Sequence, residues 1–345
     1  TLTAQGQMGA GAAQTEYYTM SDFSSWGVPS SLTLKPEITA PGGEIYSLWG
    51  SNAVTGGGSD KYETMSGTSM AAPQVTGMAA LMAQVYQENG LADKSGISPR
   101  HLAQSLLMST AQPLYEEYSG GNYYSLLKQG AGLARVDLAA QADSYIQVAG
   151  QDDYKVKAEL GDDPQRTGIY EFDFTIHNLT DSDQAYTLDA DLFRQDVFEY
   201  MPGSEVWLLD TWTIPLEGSV TFSSAAMGGS SAGSHDLNGD GVTNADDADY
   251  LLEYVTGNVG SLSGNGDLSG DGKLDSYDAH LLLASLSAET VSVPAGGSIS
   301  VRARMELSES ARAELDAEAP KGTYVEAFVY VRGEGGTVHS IPVLG

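Results

Sequence analysis

Residues 64–73 read TMSGTSMAAP, and this stretch decides how the first part of the chain folds. Small residues crowd both sides of Ser69, leaving its hydroxyl open to close approach by another molecule. Pro73 is tolerated only in a first helical turn, so a helix must begin very near Ser69. Downstream, Met70, Val75, Met78, Leu81, Met82 and Val85 are separated mainly by Ala and Gly. Apolar and small residues all round predict a helix buried inside a larger domain. At the start of such a helix the Ser69 amide sits at the positive end of the dipole, where it can meet an oxyanion. A nucleophilic serine also needs a base to take its proton.

Working outward, Ser98 followed by Pro99 marks a second helix through HLAQSLLMSTA, with serine as N-cap and proline at the first helical position. A third helix is expected over VDLAAQADSYI. From about residue 148 the texture changes. Tyr170, Phe172, Phe174 and Ile176 stand two apart, the period of a half-buried strand, as do Tyr186, Leu188, Ala190 and Leu192. SISVRARMEL and TYVEAFVYV continue this antiparallel sandwich texture. The strands are interrupted after a flexible GGSSAGS spacer and resume near residue 290, as expected for a domain inserted at a loop.

Composition bounds the function. The chain has 345 residues, 41% of them apolar, enough for two or three packed domains. Sixteen Lys and Arg against 46 Asp and Glu give a net charge of −30, which argues against nucleic acid as a partner. There is no cysteine, so disulfides and thiolate metal sites are excluded. No apolar run is long enough to span a membrane. The opening TLTAQGQMGAGAAQ lacks the basic start and apolar core of a signal peptide.

The interruption holds a repeat: DLNGDGVTNADDADYLL from Asp236 and DLSGDGKLDSYDAHLLL from Asp267. Each copy offers oxygen at positions 1, 3, 5 and 12, with glycine at position 6. The first supplies Asp236, Asn238, Asp240 and Asp247; the second supplies Asp267, Ser269, Asp271 and Asp278. Val242 and Lys273 at position 7 would give backbone carbonyls, and Asn244 and Asp275 at position 9 would ligate directly or through water. Calcium takes six to eight oxygens, and glycine permits the sharp turn of an EF-hand-type loop. Two ions are expected.

Two resemblances follow from these residues. The duplicated loop with Asp at position 12 and a single following helix, over roughly residues 234–286, resembles the dockerin family. The resemblance implies two calcium ions and docking to a cohesin, with Ala245, Asp246, Ser276 and Tyr277 at the recognition positions. A purely structural, calcium-stapled insert remains the other reading. GTSMAAP, with SDFSSWG (21–27), KPEITAPGG (35–43) and KQGAGLARVDLAAQA (128–142) in the same order, resembles the subtilases. The KPEITAPGG form, followed by strands, looks most like the lactocepin-type cell-envelope enzymes, whose protease domain precedes fibronectin type III-like domains.

The resemblance implies Ser69 as nucleophile and a triad in the order Asp, His, Ser. The catalytic Asp and His, and the oxyanion Asn, are then expected upstream of Thr1 in the same protease. Asn52 is the only asparagine before Ser69, and its Gly-rich loop does not match. His101, His177, His235, His280 and His339 all follow the serine, in the wrong order for the base. Residues 1–147 are read as the C-terminal half of an α/β subtilisin-like domain. Residues 148–230 and 288–345 are read as a fibronectin type III-like sandwich, and residues 231–287 as the dockerin-like insert. The implied protein is an extracellular or bacterial cell-surface endopeptidase acting on protein or peptide. The competing reading is a non-catalytic, calcium-dependent scaffold or adhesion component. Asn178 begins an N-glycosylation pattern, NLT, read here as a turn, and Trp207 and Trp212 are read as sandwich core or edge residues.

Overall fold

Helix α1 (Thr68–Glu88) begins one residue before Ser69, as expected, but Pro73 falls inside the helix, past the first turn to which the sequence confines it, and the helix continues through it. In this computed structural model the described residues are 2–4, 18–27, 31–48, 62–116, 121–224, 237–239, 245–264, 266–267, 273–276, 278–279, 282 and 289–345. Ahead of α1 lie two short antiparallel pairs, β1 (Leu2–Ala4) with β2 (Tyr18–Met20) and β3 (Ile45–Leu48) with β4 (Tyr62–Met65). After it come α2 (Leu91–Ser95), α3 (Pro99–Ser109), α4 (Leu126–Gln129) and α5 (Val136–Gln141). The Ser98 side chain accepts from the His101 amide and Pro99 opens α3, as the sequence predicts.

Two further expectations for this part are corrected. Helix α1 is not buried all round: Met82 is its one buried residue, and Leu81 is 52% exposed. Among the described elements, α1 packs chiefly against α2, α3 and α5. The third helix stops at Gln141 rather than running to Ile146. Ser144–Val148 instead forms strand β5, because Ile146 and Val148, two apart, both enter the sandwich core.

The remaining strands are β6 (Ala158–Glu159), β7 (Ile169–Asn178), β8 (Gln184–Glu199), β9 (Trp207–Pro215) and β10 (Gly218–Ser223). Helix α6 (Ala245–Val255) follows, then β11 (Glu289–Val293), β12 (Ser298–Leu307), α7 (Glu309–Glu318), β13 (Val325–Gly333) and β14 (Val338–Leu344). One sheet has the order β10-β12-β7-β5; the other has β11-β8-β13-β14-β6, with β9 added to β8. Alternation puts Phe174, Ile176, Val301 and Ala303 of the first sheet against Leu188, Val291, Val329 and Ile341 of the second. β5 belongs to the first sheet, so the boundary expected at 147/148 falls inside a strand.

The helical part and the sandwich share buried surface. Met108, Ala111 and Ala131 join the inter-sheet core. Tyr123, Leu126 and Leu127 lie on the outer face of the second sheet against Phe193, Phe328 and Tyr330. There Glu326, fully buried, accepts from the Ser125 hydroxyl at 2.8 Å and the Leu126 amide at 2.7 Å. Burial pushes its carboxyl up to about 7 against these two donors. Asn178 is 2% exposed and its amide donates to the carbonyls of Ser182, Val293 and Pro294, so its side chain braces a turn. The insert leaves from β10, an edge strand of one sheet, and returns to β11, an edge strand of the other.

Candidate active site and calcium loops

Ser69 stands exposed in the first turn of α1. Gly67 precedes the helix without any side-chain cap, so the first-turn amides are not occupied by one. The loop is tied to the segment KPEITAPGG: the Gly67 amide donates to the Gly42 carbonyl at 2.8 Å, and the Glu44 amide donates to the Ser66 hydroxyl at 2.7 Å. The Gln74 side chain, one turn along, donates to the Pro41 carbonyl at 2.8 Å. Sequence reasoning passed over Gln74; its signal is a polar residue in the otherwise apolar first turns of α1.

That segment is itself fixed by GAGLA. The Thr39 amide donates to the Gly132 carbonyl at 2.9 Å, and the Ala134 amide to the Thr39 carbonyl at 2.8 Å. The approach is close enough to require glycine: a Cβ on Gly130 would lie 2.3 Å from the Pro36 carbonyl oxygen, and one on Gly132 2.2 Å from that of Gln112. The motifs read separately in the sequence thus meet in one place and position Ser69. Among the described residues no side chain hydrogen-bonds the Ser69 hydroxyl. His101 stacks on Tyr154 with ring centroids 4.9 Å apart, and His339 is fully buried in the sandwich. Asn52, His235 and His280 lie outside the described residues.

In the insert, Leu237, Ala248, Leu251, Ala279 and Leu282 form a small core of their own. Ala248 and Ala279, like Leu251 and Leu282, occupy equal positions in the two repeat copies, so each copy contributes the same apolar face. Asp247 and Asp278, at position 12 of the two loops, are 0% and 1% exposed. Asp247 Oδ1 accepts from the amides of Leu237 at 2.7 Å and Asn238 at 3.0 Å, drawing the first loop closed. Asp278 Oδ2 accepts from the Asp275 amide at 3.0 Å. Buried carboxylates need compensating partners. Among the described residues no three carboxylate or histidine side chains come together as a metal-binding group, most of the loop positions lying outside them. Asn238, Asp267, Lys273 and Asp275 are also described; Asp236, Asp240, Val242, Asn244, Ser269, Asp271 and Tyr277 lie outside the described residues. Helix α6 follows the first loop, and Ser276, Asp278, Ala279 and Leu282 are helical after the second.

Comparison with known proteins agrees with both halves. Residues 3–150 match the subtilase family, and residues 234–287 match the dockerin type I domain. The C5a peptidase of Streptococcus pyogenes is 35% identical over 165 residues, 48% of this chain and 13% of that protein. The PI-type and PII-type proteinases of Lactococcus lactis subsp. cremoris are 32% identical over 189 residues, 52% of this chain and 9% of theirs. The chain therefore spans only a small part of the length of these relatives. One chain thus carries a segment similar to the subtilase family, as in C5a peptidase and the lactococcal proteinases, and a segment similar to the dockerin type I domain.

Proposed function

We propose that the chain is part of an extracellular or cell-surface serine endopeptidase in which Ser69 is the nucleophile. The observation that carries this reading is the placing of Ser69, exposed at an uncapped helix start that three separated motifs converge to hold. Its Oγ would attack a peptide carbonyl, form an acyl ester as the amine departs, and be freed by water, while the first-turn amides steady the oxyanion. The base, its orienting carboxylate and the oxyanion asparagine would come from polypeptide preceding Thr1. A groove of about 870 Å³, lined by Val75, Ala79, Ala83, Ala103 and Leu107, opens between α1 and α3. The rest of the catalytic domain would cover it. The two-sheet domain is read as fibronectin type III-like.

The insert is proposed to hold two calcium ions through the two loops, with Asp247 and Asp278 as their closing carboxylates. Whether it docks a cohesin or only staples itself is decided by a calcium-dependent pull-down with cohesins of the same source. The protease reading is tested with a fluorophosphonate probe on the complete polypeptide. Labelling should fall on Ser69 and vanish in Ser69→Ala; loss of the triad serine or histidine costs about a millionfold in turnover in subtilisin. A complete protein that takes no label would favour the second reading, a calcium-dependent scaffold.

A further inference from the structure

Strand β8 outruns its sheet. Its last partner on β13 is Arg194, opposite Val325, whereas β8 and β9 continue together to Glu199 and Trp207. The Tyr200 amide donates to the Val206 carbonyl at 2.8 Å and carries the pairing one step further. Beyond Gln195 the two strands leave β13 as an arm. At its base the Ser125 amide donates to the Thr211 carbonyl at 3.1 Å and Tyr124 bridges Trp212. From Val197 and Leu209 outward the strands pair, among the described residues, with each other, an arrangement that is marginal in water. Side chains alternate between its faces, and Phe198 pairs with Leu208, so Phe198, Tyr200, Val206 and Leu208 share one face. They are 41, 60, 51 and 39% exposed. Four large apolar side chains on one face, adjacent in register and open to water, mark an interaction surface rather than scattered surface residues.

Charge narrows the partner. Residues 196–210 include Asp196, Glu199, Glu205 and Asp210 and no Lys or Arg. Glu199 is turned onto the amides of Gly203 and Glu205 at the tip, at 3.1 and 2.8 Å. Asp196 and Asp210 lie near enough that the charge of Asp210 adds to burial in raising the Asp196 carboxyl, although Arg194 opposes them. Arg194 stands 3.9 Å from Asp196 and Lys128 lies within the field of Asp210, so the face is rimmed by four carboxylates near two cations. Its excess negative charge complements an apolar segment that carries cations. A second copy would bring the same carboxylates together, and each chain already carries −30.

We propose that the β8–β9 arm is a docking surface for a basic polypeptide in which apolar and cationic side chains alternate. The apolar side chains cover Phe198, Tyr200, Val206 and Leu208, and the cations meet the carboxylate rim. If the protein is the endopeptidase proposed above, that polypeptide is a substrate gripped away from the scissile bond; this role rests on the protease reading, whereas the docking does not.

The test uses the full chain and a synthetic peptide alternating lysine and leucine, with a glutamate–leucine peptide as control. Binding is followed by fluorescence anisotropy and its place by hydrogen exchange. The lysine–leucine peptide should bind, protect residues 197–209, and lose at least about tenfold in affinity in Phe198→Ser/Leu208→Ser, which keeps every charge. Circular dichroism and an unchanged exchange pattern in β13 verify that the variant is folded. Equal binding by wild type and variant would mean that bulk acidity attracts the peptide and would overturn the proposal. So would equal binding of the glutamate–leucine peptide, a dimer in sedimentation that the variant abolishes, or an arm already protected in the longer polypeptide without peptide. Because no readout is proteolytic, failure here leaves the labelling of Ser69 untouched.

Discussion

His339 is fully buried, with Nδ1 2.8 Å from the Ser109 hydroxyl and Nε2 3.0 Å from the Ser144 hydroxyl. Ser144 donates to Asp143 at 3.1 Å, which assigns the hydrogen on Nε2 to a bond with Ser144 and leaves Nδ1 to accept from Ser109. Burial pushes the imidazole down to about 4, with Asp143 pulling weakly the other way. A histidine lowered in this way contributes stability that is full above its unfolded value of about 6.5 and is lost as pH falls towards 4. The loss is on the order of 3 kcal/mol. His339→Gln keeps hydrogen-bonding capacity without titrating, so urea unfolding should show a shallower acid slope than wild type between those two pH values. Coincident slopes would show that His339 is not held neutral. Nothing in HSIPVL reveals this role, because Ser109 and Ser144 come from distant parts of the chain. The place of Ser69 at a helix start was legible for the opposite reason: its glycine, alanine and proline neighbours carry the constraint locally.

At the scale of elements, legibility followed the same rule. Helix α3 declared itself through Ser98 and Pro99, and β12 spans the residues its alternation predicts, SISVRARMEL. β5 was hidden inside a helical reading because Ser144–Val148 is short and its burial comes from partners on β7. Helix α7 was also passed over, although Ser308 caps it by accepting from the Ala311 amide at 3.1 Å. It is tethered by Glu314 and Glu318 to Arg194, whose side chain is 1% exposed. On the outer face of β13, Phe328 is fully buried, with its ring 5.1 Å from Tyr123 and 5.8 Å from Phe193. Tyr123 in turn donates to Asp191 and meets the Tyr330 hydroxyl at 2.8 Å. Phe328→Ala should cost about 3–5 kcal/mol in denaturant unfolding. It should also speed amide exchange at Leu126–Gln129, which rest on that ring. A cost below about 1 kcal/mol, with exchange in α4 unchanged, would mean that the covering segment is held by its polar bonds alone.

At the scale of the molecule, the sandwich and the insert have separate apolar cores. The strands on either side of the insert are anchored separately, β10 by pairing with β12 from Gly218 to Ser223 and β11 by pairing with β8 from Glu289 to Val293. The sandwich therefore does not depend on the insert for its hydrogen bonds. Among the described residues, the insert core is Leu237, Ala248, Leu251, Ala279 and Leu282, with Tyr250, Leu252, Leu262 and Leu274 packed against it. A segment of this size rarely holds itself together without a metal or cross-link, and the chain has no cysteine. Asp247 and Asp278 are buried at the two loop ends, and without a cation the neighbouring carboxylates of each loop repel one another. Chelation with EDTA should therefore speed amide exchange through Ala245–Val255 and leave β7, β8, β12 and β13 as protected as before. Calcium added back should restore protection, and Asp247→Ala with Asp278→Ala should reproduce the chelated pattern in its presence. Exchange in α6 that ignores EDTA would show that the small core suffices and that the loops are not its staple. Loss of protection in β12 or β13 together with α6 would show instead that insert and sandwich fold as one unit, despite the separate anchoring of β10 and β11.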